Sequence, residues 1–273
     1  MTTRIIDTML HYSPWKTEQT EFDPQSEVQI EEQLAFSNGY ISQYAFFEEP
    51  YTGPQHVGTF IEGIHRAGTT TPLEIPNPSI VSLRLDDERL DLNHWHVEKF
   101  YRCLHKGEVI LERRFTATSP KGYTVEVAAE RQLSVKNPHL LETTYTVKFL
   151  NYTGLISFMT LLGEGNHTAD WYPLRSHIND DIAYSWIQAA EGDFQLCGAQ
   201  RHTFYKNGSL QSERPIKIDK KHVLGFAYMI DVFPGDTFTM KTTVAIVDSN
   251  RYPKNELTRR ALEKLQYPSI EKE

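Results

Sequence analysis

The sequence predicts an all-β fold, an antiparallel sandwich or barrel with a short helix at its C-terminal end, and three features carry the prediction. From about residue 79 onward apolar residues recur with a period of two, turn-forming clusters separate the runs, and clear helical periodicity is confined to one late segment. Val109, Leu111 and Phe115 alternate with Glu112, Arg114 and Thr116, while Tyr123, Val125, Val127 and Ala129 alternate with Thr124, Glu126 and Glu130. Ser119-Pro120-Lys121-Gly122 lies between these runs, so they read as a hairpin. Next, Tyr145, Val147 and Phe149 alternate with Thr144, Thr146 and Lys148, and Asn151-Tyr152-Thr153-Gly154 turns the chain into the apolar run Leu155 to Leu162, a second expected hairpin. Ile182 to Ala190 and Phe194 to Phe204 flank Glu191-Gly192-Asp193. Phe238, Met240, Val244 and Ile246 share one face of a late strand that opens after Pro234-Gly235. Pro253 to Gln266 then carries Leu257, Ala261, Leu262 and Leu265 on one side and Glu256, Arg259, Arg260 and Lys264 elsewhere, the pattern of an amphipathic helix. Such a helix either covers an edge of the sandwich or opens a linker.

Composition narrows the function classes. The 273 residues, 39% hydrophobic and 23% charged, suit one large soluble domain. A net charge of -8 argues against a nucleic-acid partner, which clustered Lys and Arg would bind. Met1 to Trp15 lacks the apolar run of a secretory signal, and no stretch approaches the ~18 apolar residues of a membrane span, so a cytoplasmic location is expected. Cys103 and Cys197 belong to no C-x-x-C motif and read as buried thiols. Asn-x-Ser/Thr triplets at Asn151, Asn166 and Asn207 read as chance matches in a chain of this kind. Phosphate-loop, G-x-S-x-G and H-E-x-x-H signatures are absent, as is a Gly-rich dinucleotide turn.

Three groups of residues remain as candidates. His94 and His96 would share one face of a strand and seed a zinc site if His105 joined them, but solvated histidines flanking Trp95 are the simpler reading. Glu48-Glu49 is the most conspicuous carboxylate pair. On a strand its two side chains point to opposite faces, which does not suit two carboxylates flanking one glycosidic bond. Aromatics cluster at Tyr44, Phe46, Phe47 and Tyr51, and again at Trp171 and Tyr172 beside Gly163-Glu164-Gly165-Asn166-His167, as a sugar platform or as core.

Leu34-Ala35-Phe36-Ser37-Asn38-Gly39-Tyr40-Ile41 followed by Phe47-Glu48-Glu49 resembles the opening N-G-Y-[LI]-G-x-R-G-x-F-E-E pattern of glycoside hydrolase family 65, with Ser42, Tyr44 and Ala45 where that pattern has Gly, Arg and Gly. Tyr51-Thr52-Gly53, Gly58 to Ile64, Ile75-Pro76-Asn77-Pro78, Glu88 to Leu92, Phe100 to Leu104 with Lys106-Gly107, and Glu130 to Ser134 follow in the family's order. The resemblance covers roughly residues 28 to 166. It implies a large two-sheet sandwich similar to galactose mutarotase over residues 1–250, with residues 251–273 a helix where a linker to an (α/α)6 barrel would begin. In that family the barrel carries the catalytic acid and the phosphate or water site, and this chain ends before a barrel. No catalytic residue, cofactor or metal is therefore expected here.

The resemblance further implies an enzyme acting on α-glucosides, with an α-glucoside and a helical barrel, in cis or in trans, as partners. Phe47, Glu48, Glu49, Tyr51, Glu164, Asn166, His167 and Trp171 are the residues expected to face carbohydrate or barrel, with the two glutamates partly exposed. Two alternatives stay open: an aldose 1-epimerase using His167 with Glu164 or His177 with Asp180, and a structural module that dimerises.

Overall fold

A computed structural model of the protein describes residues 9–78, 80–163, 170–220 and 223–266. The described strands form three antiparallel sheets. The largest has the order β1 (Leu10–Tyr12), β2 (Lys16–Gln19), β9 (His96–His105), β10 (Ile110–Thr118), β11 (Thr124–Leu133), β12 (Leu140–Phe149), β20 (Thr237–Asp248), β16 (Gln195–Lys206), β15 (Ile182–Ala189) and β14 (Trp171–Ile178), with β17 (Ser209–Leu210) on β16. The second layer is divided. One part is a five-stranded sheet, β18 (Ile216–Lys220), β19 (Val223–Val232), β13 (Gly154–Leu162), β7 (Ile80–Leu85) and β8 (Glu88–Arg89). The other has four strands, β3 (Phe36–Ser37), β4 (Ile41–Gln43), β5 (Thr59–His65) and β6 (Pro72–Glu74).

The alternation seen in the sequence sets the register. Val125, Val127 and Ala129 lie opposite Ala117, Phe115 and Arg113 across the β10–β11 hairpin, and β15 pairs with β16 as the Glu191-Gly192-Asp193 turn predicts. The second expected hairpin does not form. β12 pairs with β11 and β20, whereas β13 pairs with β7 and β19, so the turn at Asn151 to Gly154 carries the chain from one layer to the other. A period of two shows that a strand has one buried face. Both layers bury such faces against each other, so the period does not say which sheet a strand joins. Asn151 fixes this crossing by accepting the Thr124 N–H at 2.7 Å and donating to Gly122 O at 2.8 Å. Val109, expected in a strand, has φ 57 and closes the turn before β10.

Two α-helices, α1 (Glu27–Gln33) and α2 (Leu257–Leu265), accompany the sheets, and a 3-10 turn at Lys254–Glu256 leads into the second. Leu257, Ala261 and Leu265 of α2 pack on Cys197, Ala199, Ala245 and Val247, which project from the outer face of β16 and β20. The helix thus covers a face of the large sheet, and these strands are buried on both sides. Both cysteines are buried free thiols.

The core is split by a polar belt. One apolar cluster joins Leu104, Leu111, Leu133 and Leu141 of the large sheet to Ile41, Ile61 and Leu73 of the four-stranded sheet. A second joins Phe115, Val127, Tyr145 and Phe238 to Leu83, Phe158 and Tyr228 of the five-stranded sheet. Between them, on the inner face, run Arg102, Arg113, Arg131, Thr143, Thr242 and His202, linked by the pairs Arg102↔Arg113, Arg131↔Thr143, Thr143↔Thr242 and Thr242↔His202. The belt lies under the seam between the two smaller sheets.

Candidate functional site

Buried charge needs partners, because an ion taken out of water without them costs several kcal/mol or more. The three arginines of the belt find theirs on the segment that follows β4 and on α1. Arg102 donates to Gln19 Oε1 at 2.9 and 2.6 Å, to Ala45 O at 2.7 Å and to Glu27 Oε2 at 2.8 Å. Arg131 donates to Phe46 O at 2.5 Å and sets its Nε 2.7 Å from Glu48 Oε1. Arg113 donates through Nη2 to Glu48 Oε2 at 2.5 Å and to Glu49 Oε2, and the Tyr145 hydroxyl donates to the other oxygen of Glu49. Aromatic faces cover the guanidiniums: Phe47 lies 5.2 Å from Arg102 and 4.9 Å from Arg113, and Phe46 lies 4.3 Å from Arg131.

The expectation that Glu48 and Glu49 are partly exposed is therefore wrong: each is only 2% exposed. Their segment is an irregular stretch threaded over the belt, so consecutive side chains need not alternate between faces, and both carboxylates reach the same Arg113. The segment is a structural clamp. Phe47 and Tyr51, expected to face carbohydrate or barrel, are buried aromatics that meet edge to face at 5.0 Å and also border a pocket above the clamp. A Cβ on Gly53 would come within 2.3 Å of the Tyr51 ring, so that position must be glycine for the ring to close.

Charge within the cluster is not balanced. Arg102, Arg113 and Arg131 supply three cations, while Glu27, Glu31, Glu48 and Glu49 supply four carboxyl groups, all at most 2% exposed. Neutrality requires one carboxyl to keep its proton. Burial pushes Glu31 up to about 7, against the pull of the His56 N–H and Arg102 and with the help of Glu27. Its Oε1 has no hydrogen-bond partner among the described residues. Burial also raises Glu49, whereas for Glu48 Arg113 and Arg131 outweigh burial and hold the carboxyl below the usual range.

Above the clamp lies a pocket of about 290 Å³, whose walls include Glu48, Glu49, Gln55, Asn77, Ile80 and Arg89. These residues come from the matched segments around Phe47-Glu48-Glu49, Tyr51-Thr52-Gly53, Ile75 to Pro78 and Glu88 to Leu92, which are scattered in sequence. The fold brings those segments together at the seam.

Among the described residues the other candidates do not assemble into a site. Trp171 is buried, donates from Nε1 to Glu74 O at 2.9 Å and borders an apolar cavity of about 40 Å³. Glu164, Asn166 and His167 lie outside the described residues. His94 sits in a turn that Asp91 O closes, ahead of the strand that starts at His96, so the two imidazoles do not share a strand face. His105 is at the far end of that strand. Among the described residues no group of three His, Cys, Asp or Glu is placed to hold a metal. His177 stacks near Tyr184, while Asp180 meets Lys217 at 3.1 Å and Arg214 at 3.6 Å, so that acid–base pair does not form.

Arg102, Arg113 and Arg131 are the residues that sequence reasoning missed. Each occupies the apolar phase of its strand, Arg113 between Leu111 and Phe115 and Arg131 between Ala129 and Leu133, and that misplacement is the available signal.

Comparison with known proteins agrees with this architecture. The profile described as glycosyl hydrolase family 65, N-terminal domain, matches residues 17–272. An alpha,alpha-trehalose phosphorylase of Thermoanaerobacter brockii is 22% identical across 96% of this chain and 38% of its own length. A kojibiose phosphorylase of Halothermothrix orenii is 28% identical across 55% of this chain and 19% of its own. A maltose phosphorylase of Bacillus subtilis is 27% identical across 65% and 24%. A solved structure from the human microbiome, assigned as a kojibiose phosphorylase, superimposes with a TM-score of 0.81 at 16% identity, covering 94% of this chain and 36% of that one. The chain thus spans less than two fifths of the length of each of these relatives. It belongs to glycosyl hydrolase family 65, and residues 17–272 are the family's N-terminal domain.

Proposed function

We propose that this chain is the non-catalytic N-terminal part, or a stand-alone relative of that part, of a cytoplasmic enzyme that processes α-glucosides. In this reading its partner is a helical catalytic barrel, in cis or in trans, and an α-glucoside is bound with its help. The single observation that carries the reading is the family match over residues 17–272 within relatives more than twice as long. All three named relatives are phosphorylases, which favours phosphorolysis over hydrolysis as the parent reaction. Burial of both free thiols suits a reducing compartment, and among the described residues no helix is long and apolar enough to cross a membrane. As the alternative structural module, the chain would associate as a homodimer.

The reading predicts that the purified 273-residue chain releases neither glucose nor glucose 1-phosphate from trehalose, kojibiose or maltose above a buffer control. Turnover above that control, with or without inorganic phosphate, contradicts it.

A further inference from the structure

We propose that the outer face of the five-stranded sheet is the contact surface of a homodimer, in which two copies of this chain pack sheet on sheet about a two-fold axis parallel to β13. Register fixes which residues point outward. Leu155, Ser157 and Met159 of β13 stand opposite Asp231, Met229 and Ala227 of β19, and Ala227 in turn stands opposite Ile216 of β18. On the other side of β13, Met159 and Ser157 stand opposite Ser82 and Arg84 of β7. The alternate residues, among them Ile156, Phe158, Leu83 and Tyr228, point the other way into the core.

An antiparallel sheet with one face in water normally keeps that face polar. The large sheet does so on β11 and β12, where Glu126, Glu130, Thr144, Thr146 and Lys148 point outward, and α2 covers its apolar outer residues on β16 and β20. The five-stranded sheet does not follow this rule. Leu155, Met159, Ile216, Ala227 and Met229 point outward from it, and none of them belongs to the apolar clusters of the core. Leu155, Met229 and Ile216 are 45%, 48% and 56% exposed, and Phe233, exposed just past the end of β19, lengthens the strip. A contiguous apolar strip of this kind marks a contact surface.

Charge selects the occupant. Arg84 flanks the strip on the β7 side and Asp231 flanks it on the β19 side. Sheets stacked face to face lie about 10 Å apart with their strands nearly aligned. An axis parallel to β13 lays β7 of one copy over β19 of the other, so Arg84, in the row of Ser157 and Met229, comes within one outward step, about 7 Å, of Asp231 in the second copy. The same contact recurs on the other side of the axis, which is the self-complementarity an isologous interface requires. An axis running across the strands would instead set Arg84 against its own copy. The four longer strands present about 500 Å² of face per copy, at the low end for a specific interface, and the dimer is therefore weak and reversible.

The test is sedimentation velocity of the 273-residue chain across roughly 1–300 µM, the range that an interface of this size calls for. The variants are Met229→Glu, Arg84→Glu, Asp231→Arg and the double exchange Arg84→Glu/Asp231→Arg. The wild type is expected to form a dimer that dissociates on dilution. Met229→Glu should weaken it at least tenfold by placing two carboxylates in an apolar contact. Each single charge reversal should weaken it severalfold, and the double exchange should recover most of the loss. All four side chains are at the surface, so the melting temperatures should stay close to wild type. A wild type that is monomeric at every concentration overturns the proposal and leaves the face to a different occupant. A dimer undiminished by Met229→Glu, or a double exchange no tighter than the single reversals, also overturns it. A homodimer is compatible with either reading above: its absence would not touch the non-catalytic reading, and turnover in the assay above would not touch the dimer.

Discussion

Arg113→Met is expected to lower the stability of the domain by about 3–5 kcal/mol, the usual consequence of breaking a buried ion cluster from one side. The cost arises mainly from what stays behind. Glu49 keeps the Tyr145 hydroxyl and Glu48 keeps Arg131, but neither retains the guanidinium that bridges the two carboxylates. Removing Glu49 at the same time should recover part of the loss, because Arg113→Met/Glu49→Leu leaves the Glu48–Arg131 pair intact and no extra carboxylate in the core. Urea denaturation of the two single variants and the double variant gives the coupling directly. A double variant as unstable as the sum of the singles would show that the two side chains do not act as one unit.

Glu31→Gln is expected to change how stability depends on pH. A carboxyl whose pKa is near 7 in the folded chain and ~4.3 in the unfolded one contributes stability that is complete below ~4.3 and is lost as pH rises through 7. Over that window the loss is on the order of 3 kcal/mol. The groups facing Glu31 are Glu27 on its own helix, Arg102 and Arg131 from the large sheet, and the His56 N–H. Glutamine keeps the shape without the titration, so the stability of the variant relative to wild type should rise between pH 5.5 and pH 8. Other groups make absolute profiles ambiguous. Glu74, raised to about 7 by burial and Asp170, acts in the same direction, whereas His202, which burial pulls down to about 4, costs stability as pH falls below ~6.5. The difference between variant and wild type cancels both. An equal difference at the two pH values contradicts a proton held at Glu31.

Much of the large sheet was legible in sequence, because β10, β11, β12 and β20 alternate over most of their length, with Arg113, Arg131, Thr143 and Thr242 of the belt as the departures on the inner face. Other features were hidden for identifiable reasons. Glu27, Ile30, Glu31 and Leu34 form the buried stripe of α1, but two of the four are glutamates, so the stripe does not read as apolar. Their buried partners, the three arginines, lie more than sixty residues away in sequence and complete the pairing only in the folded chain. The Phe47-Glu48-Glu49 motif was recognisable, but its role was not. A carboxylate pair in a carbohydrate-enzyme motif invites a sugar-binding reading until Arg113 is seen between its two members. The pocket residues Gln55, Val57, Asn77 and Arg89 have no periodicity, since they belong to connections and short edge strands.

The most direct test of the central claim, that the Glu48-Glu49 segment is a clamp inside the core, is the melting temperature of Glu48→Gln. The substitution leaves Arg113 and Arg131 with one carboxylate, Glu49, that reaches only Arg113. A loss of about 3 kcal/mol is expected from the unpaired buried cation, which for a domain of this size lowers the melting temperature by roughly 6–12 °C. A melting temperature within ~1 °C of wild type, well inside the scatter of neutral surface changes, would mean that Glu48 does not hold the core together, and the clamp account would be wrong.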